Sequence, residues 1–218
     1  MIHLVPVPFL VVTVVLLIRA DFKGAKQQFY VLKPVSTLLV ILVALLSLTT
    51  PNAQPSFTLW VTMALVLSLG GDVALMFESN RAFLIGLVFF LLAHVVYCIA
   101  FTVPNGFYPQ DLLTGAVLLV VAVAVYLYLR PGLGSTQGPV LLYIVVLCFM
   151  VNRAASAFFG DAFTITQAWL MTVGAILFLL SDLVLAINRF RHPLEKHRLS
   201  LFLYYGGQLL IALSPSYF

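Results

Sequence analysis

Apolar residues run along this chain in long stretches, broken by short polar or Pro/Gly-containing segments. Eight such stretches stand out, at about 4–18, 31–50, 57–77, 82–103, 111–130, 139–159, 163–188 and 199–214. Roughly 20 helical residues cross the ~30 Å hydrocarbon layer of a bilayer. Most of the stretches reach that length. The first is short, and the seventh is long enough to tilt or to extend past the membrane. The pattern predicts an all-α polytopic membrane protein with eight transmembrane helices, forming a single integral membrane domain over residues 1–218. The first stretch has no basic leader and no small-x-small cleavage site, and Arg19 follows it. It reads as a retained helix and not as a secretory signal.

Composition strengthens this picture. Hydrophobic residues make up 63% of the chain and charged residues 8%, against about 25% charged in a soluble domain. Mean hydropathy is +1.13. No soluble catalytic domain is left over, so any chemistry must take place within or beside the bilayer. Of the 11 Lys and Arg residues, ten fall in or beside the turns after stretches one, three, five and seven. These are Arg19, Lys23, Lys26, Lys33, Arg81, Arg130, Arg189, Arg191, Lys196 and Arg198; the other, Arg153, lies inside a stretch. By the positive-inside rule that side is cytoplasmic and both termini face outward. The net charge of +4 reflects this asymmetry and gives no reason to expect a nucleic-acid partner. Helical spans favour a bacterial inner membrane over an outer one. Cys98 and Cys148 sit in apolar stretches without CxxC-type partners and read as small hydrophobes.

The chain also has an internal period near 110 residues, dividing it into halves of about 1–110 and 111–218. Trp60 and Trp169 each stand near the outer end of a stretch; Asp72 follows the first by 12 residues and Asp182 the second by 13. Each aspartate precedes a basic turn and a return helix, on which His94 lies 22 residues after Asp72 and Tyr204 lies 22 after Asp182. A four-span repeat preserves direction, so the halves are expected to be parallel copies about an axis along the membrane normal. Such an axis lets two equivalent aspartates approach one central cavity.

Those aspartates are the leading candidates for function. An ionised carboxylate at mid-bilayer costs roughly 2.5–3.5 kcal/mol even on the most lenient scale, and such residues usually serve a site. Around them lies a polar set. His94 and Tyr97 share a face with Cys98; His94 suits a proton carrier, a metal ligand or a packed neutral ring. Tyr204 and Gln208 lie one turn apart with Tyr205 beside them, deep enough for a phenol to need a partner. Asn152 and Arg153 stand inside stretch six, where Arg153 either snorkels outward, pairs with an aspartate or holds an anionic group. Lys33, followed by Pro34, opens stretch two as an interfacial anchor or an anion contact. There is no GxSxG or Walker A motif, and Gly132–Gly138 reads as a loop. No metal or cofactor is expected.

These residues together resemble the lysoplasmalogenase, or YhhN-like, family. The segments that carry the likeness are Lys33-Pro34, Gly71-Asp72, Ala93-His94 to Tyr97, Asn152-Arg153-Ala154, Ser181-Asp182 to Ala186, and Tyr204-Tyr205 to Gln208. The resemblance implies an eight-span membrane hydrolase that cleaves the vinyl ether of lysoplasmalogens, releasing a fatty aldehyde and a glycerophospho-ethanolamine or -choline. A vinyl ether is labile to acid through an oxocarbenium ion, so one carboxylic acid and one carboxylate suit the chemistry, as they do in glycoside hydrolysis. On that reading Asp72 and Asp182 are catalytic, and His94, Tyr97, Asn152, Tyr204, Tyr205 and Gln208 orient them or a water. Arg153 or Lys33 holds the phosphate of a lysophospholipid drawn from the bilayer, toward the cytoplasmic side. The alternatives are a small secondary transporter using the aspartates as a proton or cation site, a metal-dependent hydrolase on His94 and the aspartates, and a structural assembly protein. Oligomeric state is not legible.

Overall fold

The computed structural model describes residues 2–194 and 198–218, and Lys196, counted above among the basic residues, lies outside them. Among the described residues eight α-helices follow one another: α1 Pro6–Phe22, α2 Lys26–Leu46, α3 Pro55–Ala74, α4 Asn80–Thr102, α5 Gln110–Leu133, α6 Gln137–Ala155, α7 Ile165–Phe190 and α8 Leu199–Leu213. Among the described residues the remaining regular structure is short 3₁₀ turns. The helix starts use familiar local chemistry. Pro6 and Pro55 occupy the first turns of α1 and α3, where the missing N–H is not needed. The Ser79 side chain caps α4, and Thr164 and Gln167 form a reciprocal capping box on α7.

Among the described residues six helical stretches are long and apolar enough to cross a membrane, and the longest, Gln110–Phe158, contains both α5 and α6. The chain is an integral membrane protein. Helix α8, at 15 residues, is shorter than a full crossing. The apolar pattern located the helices but not always their ends. Helix α2 begins at Lys26, ahead of the apolar onset at 31, because no Gly or Pro stands between Lys26 and Val31 to stop it. The Gly132–Gly138 segment is a helical corner and not a loop: α5 continues to Leu133, a 3₁₀ turn spans Gly134–Thr136 and α6 starts at Gln137. Gly134 makes the reversal at φ +51°, a conformation open to glycine at little cost.

Neighbouring helices pack in hairpins, α1 with α2, α3 with α4, α5 with α6 and α7 with α8; α2 against α8 and α4 against α6 join one half of the chain to the other. Between membrane helices association relies on close packing, because lipid tails are as apolar as leucine. Glycine provides that closeness at two places. A Cβ on Gly71 would lie 2.6 Å from the Phe90 ring, and one on Gly207 would lie 2.6 Å from the Gly174 carbonyl oxygen. The first contact seats α4 against α3 beside Asp72, and the second locks α7 to α8. Helix α5 is peripheral: it meets a small cluster of Ala122, Leu129, Leu133, Val140, Ile144 and Cys148 and turns residues such as Leu112 and Val120 outward.

Candidate active site

A cavity of about 110 Å³, measured as room for the centre of a water-sized sphere, lies among α2, α3, α4, α6, α7 and α8. One water needs about 10–15 Å³ on that measure, so the cavity admits several waters or part of a ligand. Its walls are mostly apolar, and both Asp72 and Asp182 line it, together with Lys33, Tyr143, Ser181 and Tyr204. One carboxylate comes from each half of the chain.

The two carboxylates differ in their surroundings. Asp72 is 2% exposed and ringed by donors. Its Oδ2 accepts from the Thr37 hydroxyl at 2.6 Å and the Tyr204 hydroxyl at 2.7 Å. Lys33 Nζ stands 3.4 Å from Oδ1 and donates to the Asp72 carbonyl at 3.3 Å. Lys33 is itself buried, so it is no surface anchor. Behind Tyr204 a relay fixes the direction of the bonds: Tyr97 donates to Gln208 Oε1 at 2.8 Å, and Gln208 Nε2 donates to the Tyr204 oxygen at 3.3 Å. The Tyr204 proton is therefore directed at Asp72. Tyr205 donates to the Lys33 carbonyl at 2.9 Å and holds α8 against α2.

Asp182 is half-buried and takes a short hydrogen bond from the Tyr143 hydroxyl. A phenol can accept as well as donate, so this contact suits either protonation state of the carboxyl. The two arrangements share a register: Lys33 lies 39 residues before Asp72, and Tyr143 lies 39 before Asp182. Tyr204 crosses from the second half to Asp72. His94, its counterpart by spacing, crosses from the first half toward Tyr143, with ring centroids 5.2 Å apart. His94 also packs on Phe178 at 4.8 Å, is fully buried, and has no hydrogen-bond partner on either ring nitrogen among the described residues. It does not line the cavity.

Asn152 and Arg153 are not brought to this site. Arg153 is fully buried ten residues beyond Tyr143 on α6, about 15 Å along the helix. Its Nη1 meets Asp111 Oδ2 at 2.7 Å, Nε donates to Thr102 at 3.0 Å, and Nη2 donates to the Gly106 carbonyl and to Ser156. Asn152 donates to the Asp111 carbonyl and the Thr114 hydroxyl. The expectation that Arg153 binds phosphate from within the site is corrected by this geometry, since all three guanidinium nitrogens are engaged in tying the α4–α5 connection to the end of α6.

Thr37 and Tyr143 were not singled out from sequence. Tyr143 had a signal, because the 110-residue offset carries Lys33 onto it. Thr37 had none: a threonine in an apolar helix is commonplace, and only the rotation of α2 aims it at Asp72. Among the described residues, no three His, Cys, Asp or Glu side chains gather as a metal site would require.

The architecture and the paired intramembrane carboxylates define an all-helical membrane protein with a polar site opening into an apolar cavity. Residues 28–215 match the profile of the YhhN family, and the chain belongs to that family. It is 34% identical over 171 residues to the Bos taurus protein named lysoplasmalogenase TMEM86A, covering 77% of this chain and 67% of the relative. It is also 34% identical over 184 residues to the Sus scrofa lysoplasmalogenase TMEM86B, covering 84% and 72%. A Dictyostelium discoideum lysoplasmalogenase homolog is 24% identical over 246 residues, covering 90% and 80%. No solved structure matches the chain.

Proposed function

We propose that this protein is a lysoplasmalogenase-type hydrolase, in which Asp72 and Asp182 cleave the vinyl ether of a lysoplasmalogen to a fatty aldehyde and a glycerophospho-ethanolamine or -choline. The observation that carries the reading is the pair of carboxylates, one from each half, on a single mostly apolar cavity. The names of the relatives supply the substrate class. The halves are read as parallel copies. Eight crossings are proposed with both termini outside, in the inner membrane of a bacterium, and the site faces the cytoplasm.

Hydrogen-bond polarity supports a division of labour. The side-chain partners Thr37, Tyr204 and Lys33 all present donors to Asp72, an arrangement suited to an ionised carboxylate. Asp182 meets a hydroxyl that can also accept, so it can hold a proton. Asp182 then gives that proton to the outer alkene carbon. Asp72 stabilises the resulting oxocarbenium ion and takes a proton from the water that adds to it. The hemiacetal collapses: its hydroxyl oxygen loses a proton, the carbon–oxygen bond to glycerol breaks, and the glycerol oxygen is protonated. Passing the proton from Asp72 back to Asp182 restores the starting state, so the cycle consumes only one water. The mostly apolar walls lower the local dielectric, which strengthens each charge–charge contact.

Aldehyde release from lysoplasmenyl-ethanolamine by the purified protein in detergent tests the reading. Release that is abolished in folded Asp72→Asn and Asp182→Asn supports it. A wild type that releases none from ethanolamine or choline substrates removes it.

A further inference from the structure

The two cations considered for phosphate from sequence both face carboxylates, Arg153 on Asp111 and Lys33 on Asp72. A third cation stands at the rim of the cavity. Asp182, Leu185, Ala186 and Arg189 follow one another on α7 at i, i+3, i+4 and i+7, a single helix face, and the first three line the cavity. Arg189 thus lies two turns, about 10 Å, along the helix from the proposed acid. Its guanidinium carbon sits 4.0 Å over the Phe83 ring. Phe83 and Phe190 both line the cavity and meet edge to face at 5.6 Å. A layer of aromatic rings therefore separates the exposed guanidinium from the cavity.

The guanidinium is held but not used up. Its Nη2 donates to Asn80 Oδ1 at 3.0 Å, and its remaining N–H groups have no hydrogen-bond partner among the described residues. Stacking on an aromatic face combined with one anchoring bond orients a planar fork while leaving donors for a bidentate acceptor. Resting on the hydrolase reading above, we propose that Arg189, oriented by Phe83 and Asn80, binds the phosphate of the lysophospholipid and sets the preference for phosphorylated over neutral alkenyl lipids. In such a lipid only the glycerol unit separates the vinyl ether from the phosphate. With the alkene at Asp182, the phosphate reaches out along α7 toward the rim.

The test compares two substrates with the same alkenyl chain, lysoplasmenyl-ethanolamine and the neutral 1-alkenylglycerol, with wild type, Arg189→Ala and Arg189→Lys. The ratio of their kcat/KM values should fall about tenfold or more in Arg189→Ala, as expected for one lost hydrogen bond to a charged group, and by less in Arg189→Lys. An unchanged ratio in both variants overturns the proposal. Binding of the saturated 1-alkyl analogues, with and without phosphoethanolamine, provides the same ratio without turnover. If the wild type cleaves neither substrate, the hydrolase reading fails, and this binding ratio still decides whether Arg189 holds a phosphate. Should Arg189→Ala not fold, Arg189→Lys and Asn80→Ala report on the same ratio.

Discussion

Two buried cation–carboxylate pairs lie toward opposite ends of the helix bundle, and they differ in what surrounds them. At one end Arg153 and Asp111 meet at 2.7 Å, and Arg153 has every guanidinium nitrogen engaged, with Phe107 stacked over it at 4.3 Å. At the other end Lys33 and Asp72 stand 3.4 Å apart on the wall of a cavity that a second carboxylate shares. Burying a charge is costly unless partners replace its water. The Arg153 cluster engages all three guanidinium nitrogens with protein groups and so ties α4, α5 and α6 together, while Asp111 Oδ1 has no hydrogen-bond partner among the described residues. The Lys33–Asp72 pair is looser and faces open space, so a water or a substrate can approach it. The difference lies in the cation and in the second carboxylate: every nitrogen of Arg153 is held by protein, whereas the Lys33–Asp72 pair shares its cavity with Asp182.

Substitutions can separate the two. The largest effect is expected from Asp72→Asn and Asp182→Asn, each lowering aldehyde release by about 10³-fold or more, within the range for removing an acid–base group, while thermal unfolding in detergent shows the variants folded. Retained activity in either would break the assignment of that carboxyl. Next, Arg153→Met leaves Asp111 buried without its cation and should cost about 3–5 kcal/mol in stability, with kcat of the folded fraction kept. A specific loss of kcat, with stability intact, would move Arg153 back toward the site. Lys33→Met removes the cation at Asp72 and is expected to lower kcat roughly 10–100-fold; Lys33→Arg should recover part of it, and the contrast is read against the unfolding midpoint. The smallest effect is assigned to Tyr143→Phe, which deletes one hydrogen bond to Asp182. It should cost about 0.5–1.5 kcal/mol, through stability or through kcat. A Tyr143→Phe loss as large as that of Asp182→Asn would make the phenol itself the proton donor.

The contrast between the two pairs also marks what could be read along the chain. Arg153 looked like a ligand residue because an arginine in an apolar stretch is conspicuous, whereas its partner Asp111 sits at the start of α5 and attracts no notice there. Asp72 and Asp182 stood out for a local reason: the cost of a carboxylate in an apolar helix depends on its immediate neighbours. The relay through Tyr97, Gln208 and Tyr204 was legible as a set of polar residues at helical spacing, but not as a chain with a direction. Its direction depends on bonds between residues 111 and 132 positions apart, Tyr97 with Gln208 and Asp72 with Tyr204.

By itself the sequence determined the all-helical membrane class, the helix positions to within a few residues, and the two aspartates. Hydropathy and helical periodicity are properties of short windows, and they survive any arrangement of the helices. Only the tertiary structure decided that Thr37 and Tyr143 reach the carboxylates, that Lys33 is buried against Asp72, that His94 packs without a hydrogen-bond partner among the described residues, and that Arg153 closes on Asp111. Those outcomes turn on how far each helix is rotated about its axis and where it crosses its neighbours. Close contacts such as Gly71 on Phe90 and Gly207 on Gly174 set that rotation and crossing, and they arise between helices whose partners are chosen only when the bundle assembles.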